Sequence, residues 1–159
     1  MEEYEYSFKV SSIKPYIEYC EKNDYKKESE ILENRKVYEN KYNPNMIARI
    51  TKTVIGLKEQ IVFDCKNVKK ERHDLKESQE SIPLVFNQSD YSTIESILKT
   101  LEFKLVADNI RTRYVYKKNE IKFEIDDYKI PKAQVVAIEG NKEEVDQLYF
   151  KLKQIIKWK

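Results

Sequence analysis

Glycine is almost absent: Gly56 and Gly140 are the only two in 159 residues. Walker-type phosphate loops and the dinucleotide fingerprint each need several glycines close together, so both are excluded, and any phosphate must be held by side chains. Histidine is reduced to His73, which falls in a polar segment and reads as an ordinary surface residue rather than a general base. Cys20 and Cys65 have neither CxxC nor metal-ligand spacing. Two cysteines make no disulfide framework, so a reduced intracellular compartment is expected, with Cys20 packed as a small apolar side chain. No run approaches the roughly 18 apolar residues of a membrane span, and the N-terminus has no apolar signal core; a cytoplasmic protein without a membrane partner is expected. Charge of one sign is missing too. Thirty Lys and Arg against 28 Asp and Glu leave a net charge of +2, which argues against a global basic field for nucleic acid.

Aromatic and charged side chains are plentiful. Twelve Tyr and six Phe within 40% apolar content supply a core despite 36% charged residues, and the length suits one domain, residues 1–159. Period-two alternation dominates, in residues 2–10, 46–54, 60–66, 103–107, 110–117, 121–126 and 133–139, and predicts a mostly β protein. The segment 65–83 is polar and irregular, and reads as a loop, as a strand carrying Arg72, Asp74 and Lys76 on one face, or as both in succession.

Three helices are expected. "SSIKPYIEYCEK" has Ser11 or Ser12 as cap, Pro15 in the first turn, and Ile13, Ile17 and Cys20 on one face. "SDYSTIESILKTLEF" follows Ser89 or Asp90 and lines up Ile94, Ile97, Leu98 and Leu101. "GNKEEVDQLYFKLKQIIKW" starts with a capping-box-like Asn141 and Glu144 and repeats Val145, Leu148, Tyr149, Leu152, Ile155 and Ile156 at helical spacing.

The strands carry charge on one face. In the hairpin "IRTRYVYKKNEIKFEID", turning at residues 117–119, Arg111 and Arg113 lie opposite Tyr114 and Tyr116, while Lys122, Glu124 and Asp126 lie opposite Ile121, Phe123 and Ile125. A half-covered sheet facing water explains one such hairpin. The same pattern recurs in Glu3 and Glu5, Arg49 and Thr51, Asp64 and Lys66, and Glu139. A sheet closed into a barrel with this face inward would gather acids and bases in one cavity, with helices covering the apolar outside, Tyr4, Tyr6 and Phe8 included. Such a cavity suits a polyanion with a divalent metal: Arg and Lys give directed donors to phosphate, and carboxylates give the hard oxygens that Mg²⁺ or Mn²⁺ prefers.

The N-terminal Glu-x-Glu, the Arg of "IARIT", the Lys ending "IVFDCK", the Arg-x-Arg of "IRTRYVY", the acids of "KFEID" and the "IEG" before the last helix appear in that order over nearly the whole chain. Together they resemble the CYTH family of CyaB adenylate cyclases and thiamine triphosphatases, the triphosphate tunnel metalloenzymes. The resemblance implies an α+β fold, a closed antiparallel β-barrel with a charged interior and helices packed outside. It implies Glu3, Glu5, Glu124, Asp126 and Glu139 on the metal side, with Mg²⁺ or Mn²⁺, and Arg49, Lys66, Arg111, Arg113 and Lys122 on the phosphates of a nucleoside triphosphate, thiamine triphosphate or inorganic polyphosphate. Triphosphate hydrolysis and cyclisation of ATP to cAMP both stay open, as does a noncatalytic nucleotide or polyphosphate binder.

Three positions depart from the family pattern. Ser7 stands where Glu-x-Glu-x-Lys has its Lys, Thr51 where the second Arg of Leu-Arg-Ile-Arg is usual, and Ala137 where the last Glu-x-Glu begins. The expected consequence is a weaker grip on metal and on a fully charged triphosphate, and reduced activity.

Overall fold

The alternating segments become strands of one sheet in the computed structural model, which describes residues 2–157. In chain order they are β1 (Glu2–Val10), α1 (Lys14–Lys22), β2 (Lys26–Asn40), β3 (Met46–Ile55), β4 (Lys58–Arg72), β5 (Leu75–Glu80) and β6 (Leu84–Phe86). There follow α2 (Tyr91–Thr100), β7 (Phe103–Lys118), β8 (Ile121–Ile130), β9 (Lys132–Glu139) and α3 (Lys142–Lys157). The strand order is β3-β2-β7-β8-β9-β1-β5-β4, and the further pairing of β3 with β4 closes an eight-stranded antiparallel barrel, with β6 added to the edge of β4. The three helices pack outside.

The hydrophobic core therefore lies on the barrel's outer wall. Tyr6, Tyr116, Phe123, Ile125, Val136 and Ile138 face Tyr16 and Cys20 of α1 and Val145, Leu148, Tyr149 and Leu152 of α3. Burial pushes the Cys20 thiol up to about 12, so it packs as an inert apolar group. Tyr6 stacks on Tyr149 at 4.0 Å, and the Tyr4 and Tyr6 hydroxyls both donate to Asp146 Oδ1, at 2.5 and 2.7 Å. These contacts hold α3 against β1. A second cluster seats Ile94 and Leu98 of α2 on Tyr38, Ala48, Ile50 and Ile61.

Several expectations change. The 15-residue β2 is a strand where no strand is expected, and residues 103–118 form one strand rather than two. The polar segment is a hairpin: β4 runs on to Arg72, His73 turns at φ 52° on the exposed surface, and β5 begins at Leu75. Asp74, in the turn, accepts from the Tyr149 hydroxyl at 2.5 Å instead of sharing a strand face with Arg72 and Lys76. α1 starts beyond the two serines with Ile13 as N-cap, whose N–H donates to Gln134 Oε1 at 2.9 Å. Tyr16 rather than Ile13 or Ile17 joins Cys20 as its buried residue, and Asp90 makes no side-chain cap for α2. Ile97 and Leu101 are exposed. Ile155 and Ile156 lie outside the described side chains. Asn141 does cap α3, its Oδ1 accepting from the N–H groups of Glu143 and Glu144 at 3.0 and 3.5 Å. No helix among the described residues is long and apolar enough to cross a membrane.

Gly140 makes the corner from β9 into α3. At φ +150° it places the site of a Cβ 2.5 Å from the Glu120 carbonyl oxygen, a fixed backbone atom. Gly140→Ala should lower stability by about 2 kcal/mol or more, read by urea unfolding, because both the dihedral and the contact resist a side chain.

Candidate functional site

Closing the barrel turns one face of every long strand into the wall of a cavity of about 430 Å³. All ten residues singled out in the sequence line it: Glu3, Glu5, Arg49, Lys66, Arg111, Arg113, Lys122, Glu124, Asp126 and Glu139. So do Ser7 and Ala137, paired across β1 and β9, which leave an uncharged patch where a cation and a carboxylate are usual.

The strands are strongly tilted, so inward positions on neighbouring strands are offset along the ladder and fall into rings around the axis. One ring is mostly carboxylate: Glu3, Glu33, Asp64, Glu80, Glu124 and Glu139, with Arg113 and Thr51 among them. The next is mostly cationic: Arg35, Arg49, Lys66 and Arg111, with Glu5, Asp126, Ser78 and Ala137. A third has little charge: Ser7, Val37, Ile47, Asn109, Tyr128 and Val135, with Lys76. Lys122 lies at the mouth beyond the carboxylates.

Cations reach across to the carboxylates. Arg49 binds Asp64 through Nε at 2.9 Å and Nη2 at 2.5 Å, and Glu80 at 3.0 Å. Lys66 meets Glu3 at 2.5 Å, and Lys122 meets Glu139 at 2.9 Å. Arg111 pairs with Glu33 at 2.8 Å, while Arg113 forks onto Asp126 at 2.7 and 2.9 Å and meets Glu124 at 2.8 Å. Burial pushes the Glu124 carboxyl up, but Arg113, Lys122, Arg35 and Arg111 outweigh it and hold the group down at about 2. Burial likewise works against the Arg113 charge, and Glu124 and Asp126 overcome it, raising its pKa.

Two groups stand apart from this neutralisation. Glu5 has no ion pair or hydrogen bond within contact distance among the described residues. Burial and the neighbouring Glu3 charge raise its carboxyl to about 7. Its oxygens and those of Glu3 and Glu139 come within 4.8 Å of one another, a hard-oxygen set that fits Mg²⁺ or Mn²⁺. Glu124 and Asp126, expected beside them, turn to Arg113 instead.

The other is Arg35, a cation the sequence reading misses because it lies on the unrecognised β2. Its closest carboxylate contact is Glu33 at 3.9 Å, and its Nε donates to Thr51 Oγ1 at 2.9 Å. Burial first, then repulsion from Arg113, Arg111 and Arg49, pushes its guanidinium down to about 10, so it stays charged at pH 7. Thr51 thus does not simply delete a charge. It supports an arginine from the neighbouring strand, directly opposite it in the ladder.

Neither protein-family models nor curated proteins match this chain. Solved structures match its fold. The PH1012 protein of Pyrococcus horikoshii is 19% identical, with a TM-score of 0.71 over 96% of this chain and 88% of that one. A proposed adenylyl cyclase of Hippeastrum, HpAC1, which has a dominant triphosphatase activity, is 12% identical, with a TM-score of 0.67 over 98% of this chain and 86% of that one. A chain of the Schizosaccharomyces pombe Mediator head module is equally similar, 12% identical with a TM-score of 0.67 over 99% and 95%. These likenesses show the fold, a closed antiparallel β-barrel with helices packed outside.

Proposed function

We propose that the barrel binds a triphosphate together with Mg²⁺ or Mn²⁺ and promotes phosphoryl or nucleotidyl transfer on it, either hydrolysis or ATP cyclisation. The observation that carries this reading is a ring of guanidinium and ammonium groups stacked against a ring of carboxylates inside a closed wall. Arg35, whose nearest carboxylate, Glu33 at 3.9 Å, is already bound by Arg111 at 2.8 Å, is where an anion gains most. Arg49, Arg111 and Arg113 offer planar donor forks to phosphate oxygens, and Lys66 and Lys122 offer point charges. Glu3, Glu5 and Glu139 would hold the cation, which when bound supplies neutralisation of charge on the phosphoryl oxygens. The enclosing wall excludes bulk water and strengthens these contacts. The nucleophile comes from solvent or from the substrate.

Incubation with ATP, thiamine triphosphate and inorganic triphosphate, with Mg²⁺ or Mn²⁺, should release phosphate, pyrophosphate or cyclic AMP. Arg35→Gln should abolish that turnover while leaving the unfolding midpoint unchanged or higher, because it relieves crowding among buried cations. Loss of turnover with a fall in stability would mean that Arg35 is only structural. The uncharged Ser7–Ala137 patch favours a second reading, a noncatalytic binder. It predicts metal-dependent thermal stabilisation by a triphosphate with no turnover of any substrate in the panel.

A further inference from the structure

The ring beyond the cations has a different chemistry from the rest of the tunnel. Val37, Ile47 and Val135 give it apolar walls, Tyr128 gives it an aromatic ring, and Ser7 and Asn109 give it neutral polar groups. Lys76 is its one charge among the described residues. Phosphate gains little from the valine and isoleucine part of this wall, where an anion loses water without gaining a donor.

Two side chains give the ring direction. Tyr128 Oη accepts from Arg111 Nη1 at 2.6 Å, and the Arg111 guanidinium carbon lies 5.4 Å from the Tyr128 ring centroid, so the ring is tied to the neighbouring cationic layer. Asn109 lies directly opposite Arg35 in the ladder and lines the same cavity. Its side-chain amide makes no hydrogen bond among the described residues, which leaves a donor and an acceptor side by side on the cavity wall.

We infer that this ring is a subsite for a neutral planar heteroaromatic group carried on the phosphate chain, that is, for the base of a nucleoside triphosphate. The inference rests on the triphosphate reading and narrows its substrate class. Apolar walls and an aromatic face take up the base, and the Asn109 amide pairs with adjacent donor and acceptor atoms on its edge. A permanently cationic ring, such as a thiazolium, is disfavoured beside Arg111 and Lys76. Inorganic polyphosphate leaves the subsite unused.

Isothermal titration with Mg²⁺ and ATP, GTP, CTP, UTP, thiamine triphosphate or tripolyphosphate tests this directly. The full chain should bind at least one of the four nucleotides about tenfold or more tightly than tripolyphosphate. Asn109→Leu, checked for an unchanged melting curve, should weaken that nucleotide about tenfold and leave tripolyphosphate within about twofold. Asn109→Asp, which has no amide donor, should reorder the four nucleotides if Asn109→Leu does not fold. Tripolyphosphate bound as tightly as the best nucleotide, or both ligands weakened equally by Asn109→Leu, would overturn the base subsite and leave the triphosphate reading standing. Failure of every ligand to bind would overturn both.

Discussion

Arg113→Ala should cost about 3–5 kcal/mol of stability and remove detectable triphosphate binding. The guanidinium binds Asp126 through two nitrogens and Glu124 through a third, and Asp126 is only 2% exposed. Taking it away strands two buried carboxylates, with Arg111 at 3.6 Å from Asp126 and Lys122 at 3.8 Å from Glu124 as the nearest cations left. The loss includes an acid-dependent part. Glu124 is depressed to about 2 in the folded protein, below its ordinary value near 4.5, so its contribution is present above about 4.5 and is lost as pH falls toward 2. Urea unfolding between pH 3 and 7 should show that this part of the slope is missing in the variant. Arg113→Lys should restore only a fraction, because an ammonium cannot span both carboxylates. An Arg113→Ala protein as stable as its parent would mean that the pairs cost as much in desolvation as they return.

Glu5→Gln should move stability in the opposite direction. The Glu5 carboxyl is raised to about 7 from 4.5 by burial and by Glu3, so the folded state holds its proton more tightly than the unfolded state. Stability from this group is full below about 4.5 and declines as pH rises through 7, by up to about 3 kcal/mol. Without metal, Glu5→Gln should therefore be the more stable protein at pH 8, with a flatter pH dependence from 5 to 8. The same substitution should abolish stabilisation by Mg²⁺ or Mn²⁺, which in the parent should strengthen as pH rises through about 7, because the cation competes with the proton. Thermal melts at pH 5 and 8, with and without the cation, separate these effects. A variant less stable than its parent at pH 8, and still stabilised by metal, would remove Glu5 from the cation site.

The charged wall is legible in the sequence because period two survives there with an apolar partner face. Arg111, Arg113, Glu124 and Asp126 alternate with Tyr, Phe and Ile, so face and partner are both visible. β2 lacks that contrast. Its inward Glu33 and Arg35 alternate with outward Asn34 and Lys36, whose partners are Asp108 and the Tyr91 ring, so both faces are polar. A register shift between Lys27 and Ser29 breaks the period further. Arg35 could have been found only by asking what stands beside Thr51 once a barrel is assumed. The third ring is silent for another reason, since valine, isoleucine and asparagine on a strand carry no signal of facing inward. The start of α1 is likewise set partly from outside its own segment, with Gln134 accepting from the Ile13 N–H at 2.9 Å while Ser12 Oγ accepts from the Lys14 N–H at 3.3 Å.

β6 has a bearing on how this protein behaves when crowded. A closed barrel has no free ladder to offer, and here the strand added outside it is three residues long, Leu84–Phe86. Leu84 and Val85 are exposed beside that edge, the composition that elsewhere seeds fibrils. Three residues supply too few backbone bonds to template another chain, so the brevity of β6, with Pro83 directly before it, blunts this edge against pairing with a second chain.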